Sequence, residues 1–103
     1  MSSKSQTADF ILEQLGGLDV RVRKMFGEYG LYCDEKLSAF ICDDTLFVKI
    51  LDANKALAAG LARGPCYPGS KDYYIVSNDR LDDHTWLQSL IQTTADTLPL
   101  KKN

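Results

Sequence analysis

The sequence predicts an α+β domain built from three helices and one antiparallel meander sheet of about four to six strands. Residues 20–51 have a strand-like period, in segments separated by short acidic turns. Helical patterns flank that block, one before it and two after it, rather than alternating with its strands. Strands that follow one another directly form hairpins, which gives a single antiparallel sheet with helices gathered beside it.

Each element has a local reason. Thr7 is placed to cap a first helix with Phe10, Ile11 and Leu15 on one face, ended by Gly16-Gly17. Strands follow at about 20–26, 28–33, 37–42 and 45–51. If Asp43-Asp44 is a two-residue turn, Ile41 faces Leu46, Ala39 faces Val48 and Leu37 faces Ile50, and this register makes one face wholly apolar. The other face then holds Phe40 beside Phe47, too aromatic a surface to be simply solvated. Asp52 is expected to cap a second helix, DANKALAAGLARG, with Ala53, Leu57, Gly60 and Leu61 inward and Gly64-Pro65 as its end. Residues 66–76 read as one or two short strands around the Pro68-Gly69 turn. A last helix starts at Asp82, with Leu81 and Trp86 as a hydrophobic staple and Leu87, Leu90, Ile91, Thr94 and Leu98 as its stripe.

Length and composition bound the rest. A chain of 103 residues with 45% hydrophobic and 25% charged residues is one ordinary domain, with polar tails at 1–6 and 99–103 expected to be flexible. No apolar run approaches a membrane span, and the N-terminus lacks the apolar core of a secretory signal. Three cysteines, Cys33, Cys42 and Cys66, at no framework spacing point to a cytoplasmic protein whose thiols are small buried hydrophobes. A net charge of −2 disfavours a protein whose main work is neutralising phosphates.

Catalysis and cofactors find no constellation in the sequence. Gly27-Glu28-Tyr29-Gly30 runs into a strand rather than a helix N-terminus, so it is not a phosphate cradle. A bulge or tight bend at Phe26-Gly27 is expected instead, with Gly30 thinning a strand where something packs closely. His84, the single histidine, falls in the first turn of a helix, and the cysteines lack zinc-ligand spacing. The sequence therefore predicts no catalytic, metal or cofactor-binding residue. Arg21 and Arg23 share one face of a strand and Lys24 takes the other, which reads as a charged edge or as a partner or phosphate contact.

The stretch RKMFGEYGLYCDEKLSAFICDDTLFVKI resembles the N-terminal domain of the TfoX/Sxy competence regulators, through Arg23, Met25, Phe26, Gly27, Tyr29, Gly30, Leu46, Phe47 and Lys49. The likeness continues through Tyr67, Tyr73-Tyr74 and the Leu81…Trp86 segment. It implies a fold like that of the secretion-chaperone group and offers no known catalytic residues. Two departures stand out: Asp34-Glu35 occupies the turn where the family often has Asp-Gly, and the regulators carry a further helical domain that this sequence does not match.

The resulting expectation is a non-enzymatic regulatory module that binds protein. Its candidate contacts are Arg21, Arg23, Lys24, Tyr29, Phe40 and Phe47. The aromatic face predicts a homodimer or an open site for another protein. The alternative is direct nucleic-acid binding through Arg21, Arg23 and Lys24 with Tyr29 or Tyr32.

Overall fold

The computed structural model describes residues 5–25 and 28–99. Its elements are α1 (Ser5–Gln14), β1 (Val20–Met25), β2 (Glu28–Cys33), β3 (Lys36–Cys42), β4 (Thr45–Val48), β5 (Ala62–Pro65), β6 (Asp72–Val76) and α2 (His84–Thr97). The strands form one antiparallel sheet in the order β1-β2-β3-β4-β6-β5.

The meander follows the alternation of the sequence closely. Two-residue turns join β2 to β3 and β3 to β4, and all four turn residues have positive φ: Asp34 53°, Glu35 65°, Asp43 52° and Asp44 57°. Two consecutive left-handed residues match the twist of the strands they connect, at some strain for side chains other than glycine. Ile41 pairs with Leu46, Phe40 with Phe47 and Ala39 with Val48, as the turn at Asp43-Asp44 requires. The expected Leu37–Ile50 pair does not form, because β4 ends at Val48. Beyond it the Lys49 N–H donates to the Ser38 carbonyl at 3.2 Å. Ser38 is the extra residue of a bulge, since Leu31 pairs with Ala39 but Tyr32 with Leu37. The bulge expected at Phe26-Gly27 lies outside the described residues.

Both α-helices cover one face. Ile11 and Leu15 of the first helical segment and Leu87, Leu90 and Ile91 of α2 bury against Leu31, Ala39, Ile41, Leu46, Val48 and Val76. Thr7 is inside α1 rather than at its cap, and its hydroxyl donates to Asp44 at 2.9 Å. Phe10, 40% exposed, lies off the core, where Ala8 is buried instead. The α2 cap is Asp83, one residue later than expected, and it accepts from the Trp86 N–H.

The second helix is a correction. Residues 52–54 make a 3₁₀ turn, irregular turns follow, and Ala62–Pro65 is the edge strand β5. Only two α-helices occur among the described residues, not three. Two features override the alanine-rich helix propensity. Asn54 is fully buried, donating to the Lys49 carbonyl at 2.9 Å and to Thr94 Oγ1 at 2.8 Å while accepting from the Leu51 N–H at 3.1 Å. Gly60 adopts φ +88°, which reverses the chain toward its pairing with β6.

Candidate functional site

The outer face of the sheet, turned away from the helices, carries a second cluster of Cys42, Phe47 and Tyr73 with Phe40, Cys66 and Ile75 against it. Its cover comes from the sheet itself. Cys66 follows Pro65, which pairs with Asp72 at one end of the outermost strand, whereas Cys42 pairs with Thr45 on β3, at the opposite end of the ladder. Yet their Cα atoms are 6.1 Å apart and their sulfurs are bonded. The β5–β6 hairpin therefore curls back across the outer face, as strongly coiled sheets do. The Tyr73 ring meets Phe40 edge-on with centroids 5.5 Å apart. Phe47, expected to be open, is only 9% exposed.

Between the curled hairpin and the meander lies a groove of about 630 Å³, lined by Met25, Glu28, Leu37, Phe40, Cys42, Cys66 and Tyr67. Gly30 shapes its floor. A Cβ there would stand 3.0 Å from Met25 Cε and 3.1 Å from Leu37 Cδ1, so those two side chains close across the space a side chain would fill. The close approach expected at Gly30 is thus made by the strands on either side of it. Glu28 gives the groove a carboxylate that accepts from the Asp43 N–H through both oxygens at 3.3 Å. Tyr67, 59% exposed, stands at the rim. Its loop is knit internally by Ser70, whose hydroxyl accepts from the Cys66 N–H at 3.0 Å and donates to the Lys71 carbonyl at 3.0 Å.

The candidate contacts separate in space. Arg21 and Arg23 are exposed on the outer face of the free edge strand β1, opposite Tyr32 and Gly30. Arg21 is occupied by neighbours: Nε donates to Glu35 at 3.0 Å and the guanidinium lies 4.6 Å from the Tyr32 ring centroid. The hydrogen bond and charge of Arg21 hold the Glu35 carboxyl below its ordinary range, and Glu35 raises Arg21 in turn. Lys24 pairs with Tyr29 on the helix side of the sheet, and Tyr29 packs against the main core. Tyr29 therefore does not join Phe40 and Phe47. Phe40 lines the groove, whereas Phe47 is buried and does not line it. Met25 and Tyr67 entered the sequence analysis only through the family resemblance, and neither was named as a contact; Leu37, expected on the core face opposite Ile50, is turned to the outer face by the Ser38 bulge.

The cysteines correct the expectation of three free thiols. Cys42 and Cys66 are joined, and Cys33 alone is free, buried on the helix side with its Sγ 3.9 Å from Gln92 Oε1. Burial first, then the nearby carboxylates of Asp34, Asp19 and Asp96, push its thiol up to about 11. His84 is exposed at the start of α2. Among the described residues no three His, Cys, Asp or Glu side chains are grouped as metal ligands, and no helix is long and apolar enough to cross a membrane.

Comparison with known proteins gives this geometry a family. The chain is 40% identical over 103 residues to an uncharacterized 12.7 kDa protein in the trpE 5′ region of Spirochaeta aurantia, covering 99% of this chain and 89% of that protein. The model of the TfoX N-terminal domain matches residues 11–98. That match takes in α2, the end of α1 from Ile11 onward and every strand of the sheet, and the chain belongs to the TfoX N-terminal domain family.

Proposed function

We propose that this chain is a non-enzymatic, cytoplasmic regulatory module, related to competence regulation, that binds a protein partner through the outer-face groove. The observation that carries this reading is the groove itself: a concavity of about 630 Å³, lined mostly by apolar side chains with an adaptable methionine and two aromatic rings, on the face that neither α1 nor α2 covers. Apolar concavities of this size on small domains mark contacts, and methionine adapts to a partner's shape. The partner is expected to be connected with transcription, or to be a second copy of the chain.

The test compares two surfaces. Leu37→Glu should abolish recovery of a specific partner, or lower the sedimentation coefficient if the partner is a second copy, with the circular dichroism spectrum unchanged. Nuclease treatment should make no difference. Phe47→Glu does not serve here, because Phe47 is buried and its loss would unfold the cluster. A basic-edge reading, direct nucleic-acid binding through Arg21, Arg23 and Lys24, predicts the reverse: Arg23→Glu is damaging, Leu37→Glu is neutral, and affinity falls steeply with salt. The engagement of Arg21 by Glu35 and Tyr32 weakens that reading.

A further inference from the structure

We propose that the Cys42–Cys66 pair is a reversible thiol switch that sets the shape of the groove; the inference rests on the groove being the binding site. The bond joins two parts of the molecule that the hydrogen-bond ladder keeps apart. Cys42 belongs to β3, held by strands on both sides, whereas Cys66 opens the loop that curls over the outer face. Both residues line the groove, so the covalent tie is part of its wall. Ser70 binds the loop to itself through Cys66, Tyr67 and Lys71, which lets residues 66–71 move as one piece when the tie opens. With the tie closed, Tyr67 lines the same groove as Phe40 and Met25. With it open, the loop's hold on β3 reduces to the contacts of Tyr73 and its neighbours.

The chemistry needs a small-molecule disulfide such as oxidised glutathione. Cys66 is the more accessible of the two, Cys42 being buried. The Cys66 thiolate attacks one sulfur of glutathione disulfide, forming a mixed disulfide and releasing one glutathione thiolate. The Cys42 thiolate then attacks the Cys66 sulfur and expels the second glutathione thiolate. Two protein thiols lose two protons and two electrons, and one glutathione disulfide becomes two glutathiones. Excess glutathione drives the same steps in reverse. In a reducing compartment, protein disulfides are mostly transient or redox-sensing. Cys33, buried on the opposite face, stands outside the exchange and serves as an internal control.

The experiment equilibrates the full chain anaerobically in glutathione buffers from fully reduced to fully oxidised, with acid quench, alkylation and peptide mass analysis. The expected result is a single two-electron transition confined to Cys42 and Cys66. Amide exchange of residues 66–71 should be about tenfold faster in the reduced form, as local opening becomes easier. Cys66→Ser should match the reduced protein in every buffer. Binding of the apolar dye 8-anilinonaphthalene-1-sulfonate should differ between the oxidised and reduced forms. A pair that stays dithiol in pure glutathione disulfide, or bonded in excess glutathione, overturns the switch. So does equal exchange in the two forms. If Leu37→Glu abolishes dye binding but redox state does not alter it, the switch falls and the groove reading stands. If Leu37→Glu leaves dye binding intact, the groove reading fails and the gated site fails with it.

Discussion

The two faces of the sheet come from the same strands, one residue out of step, and are built in different ways. On the helix side Ala39, Ile41, Leu46, Val48 and Val76 are wholly buried under aliphatic side chains of α1 and α2. The buried polar groups there, Asn54 and Thr94, satisfy one another. On the outer side Phe40 and Phe47 pack with Tyr73 and Ile75 of a hairpin of the same sheet, tied down by one sulfur–sulfur bond, and a groove stays open beside it. Helix packing fixes a face through many interlocking contacts. A curled edge fixes it through few, so the outer face can change shape while the rest of the molecule does not.

Truncation on each side tests that contrast. Ile41→Ala should cost about 2–5 kcal/mol in denaturant melts, since it opens a cavity in a closed core. Its neighbour Phe40→Ala, only partly buried at the groove, should cost about 1–2 kcal/mol despite removing a larger side chain. Equal losses would erase the distinction between the faces. Replacing Cys42 and Cys66 together by serine should lower the stability of the oxidised protein by about 2–4 kcal/mol, the usual effect of a cross-link closing a loop of this length. The same double variant should match the wild type within error in a reducing buffer.

Smaller effects sharpen the picture at the turns and in the core. Glu35→Gly should stabilise by about 0.5–1 kcal/mol, because glycine accepts the φ of 65° without strain. The exposed pair with Arg21 that it removes contributes little. A net loss would mean that the Arg21–Glu35–Tyr32 cluster outweighs the backbone. The Cys33 thiol gives a pH signature. Its folded pKa is raised from 9.0 to about 11, so above pH 9 the unfolded chain has released a proton that the folded chain still holds. Stability therefore falls as pH rises from 9 to 11 and is unaffected by this group well below 9. The stability difference between wild type and Cys33→Ala should narrow across that window. A difference independent of pH would place the thiol near water.

Much of the meander was legible because period-two patterns with two-residue turns leave little freedom: once Asp43-Asp44 is the turn, the Ile41–Leu46 and Phe40–Phe47 pairs follow. The close contact at Gly30 was legible for a similar reason, as a glycine among strand residues asks what fills its place. β5 was not legible. ALAAGLARG favours a helix locally, and only pairing with β6 and the buried Asn54 make it otherwise. The curl that joins Cys42 to Cys66 leaves no mark in spacing at all, because it depends on the coiling of six strands together. The site was half visible for that reason: Phe40 could be named from the register, and Met25 and Leu37 meet over Gly30 within the meander, but Tyr67 joins them only after the edge has folded over.

The strand order has a consequence for synthesis on the ribosome. β4 is complete at Val48, but its next neighbour in the sheet is β6, which ends at Val76, about 28 residues later. At typical elongation rates the nascent meander waits on the order of 1–6 seconds before that strand can dock, with Phe40 and Phe47 uncovered throughout. The helix side waits longer still, since α2 ends at Thr97. During that interval the last paired strand presents an open edge beside two aromatic rings, a surface that invites strand addition from neighbouring chains. The four acidic residues in the two meander turns, Asp34, Glu35, Asp43 and Asp44, put negative charge at both ends of the exposed strands while they wait. Their left-handed strain in the finished protein then has a counterpart in protection of the unfinished one.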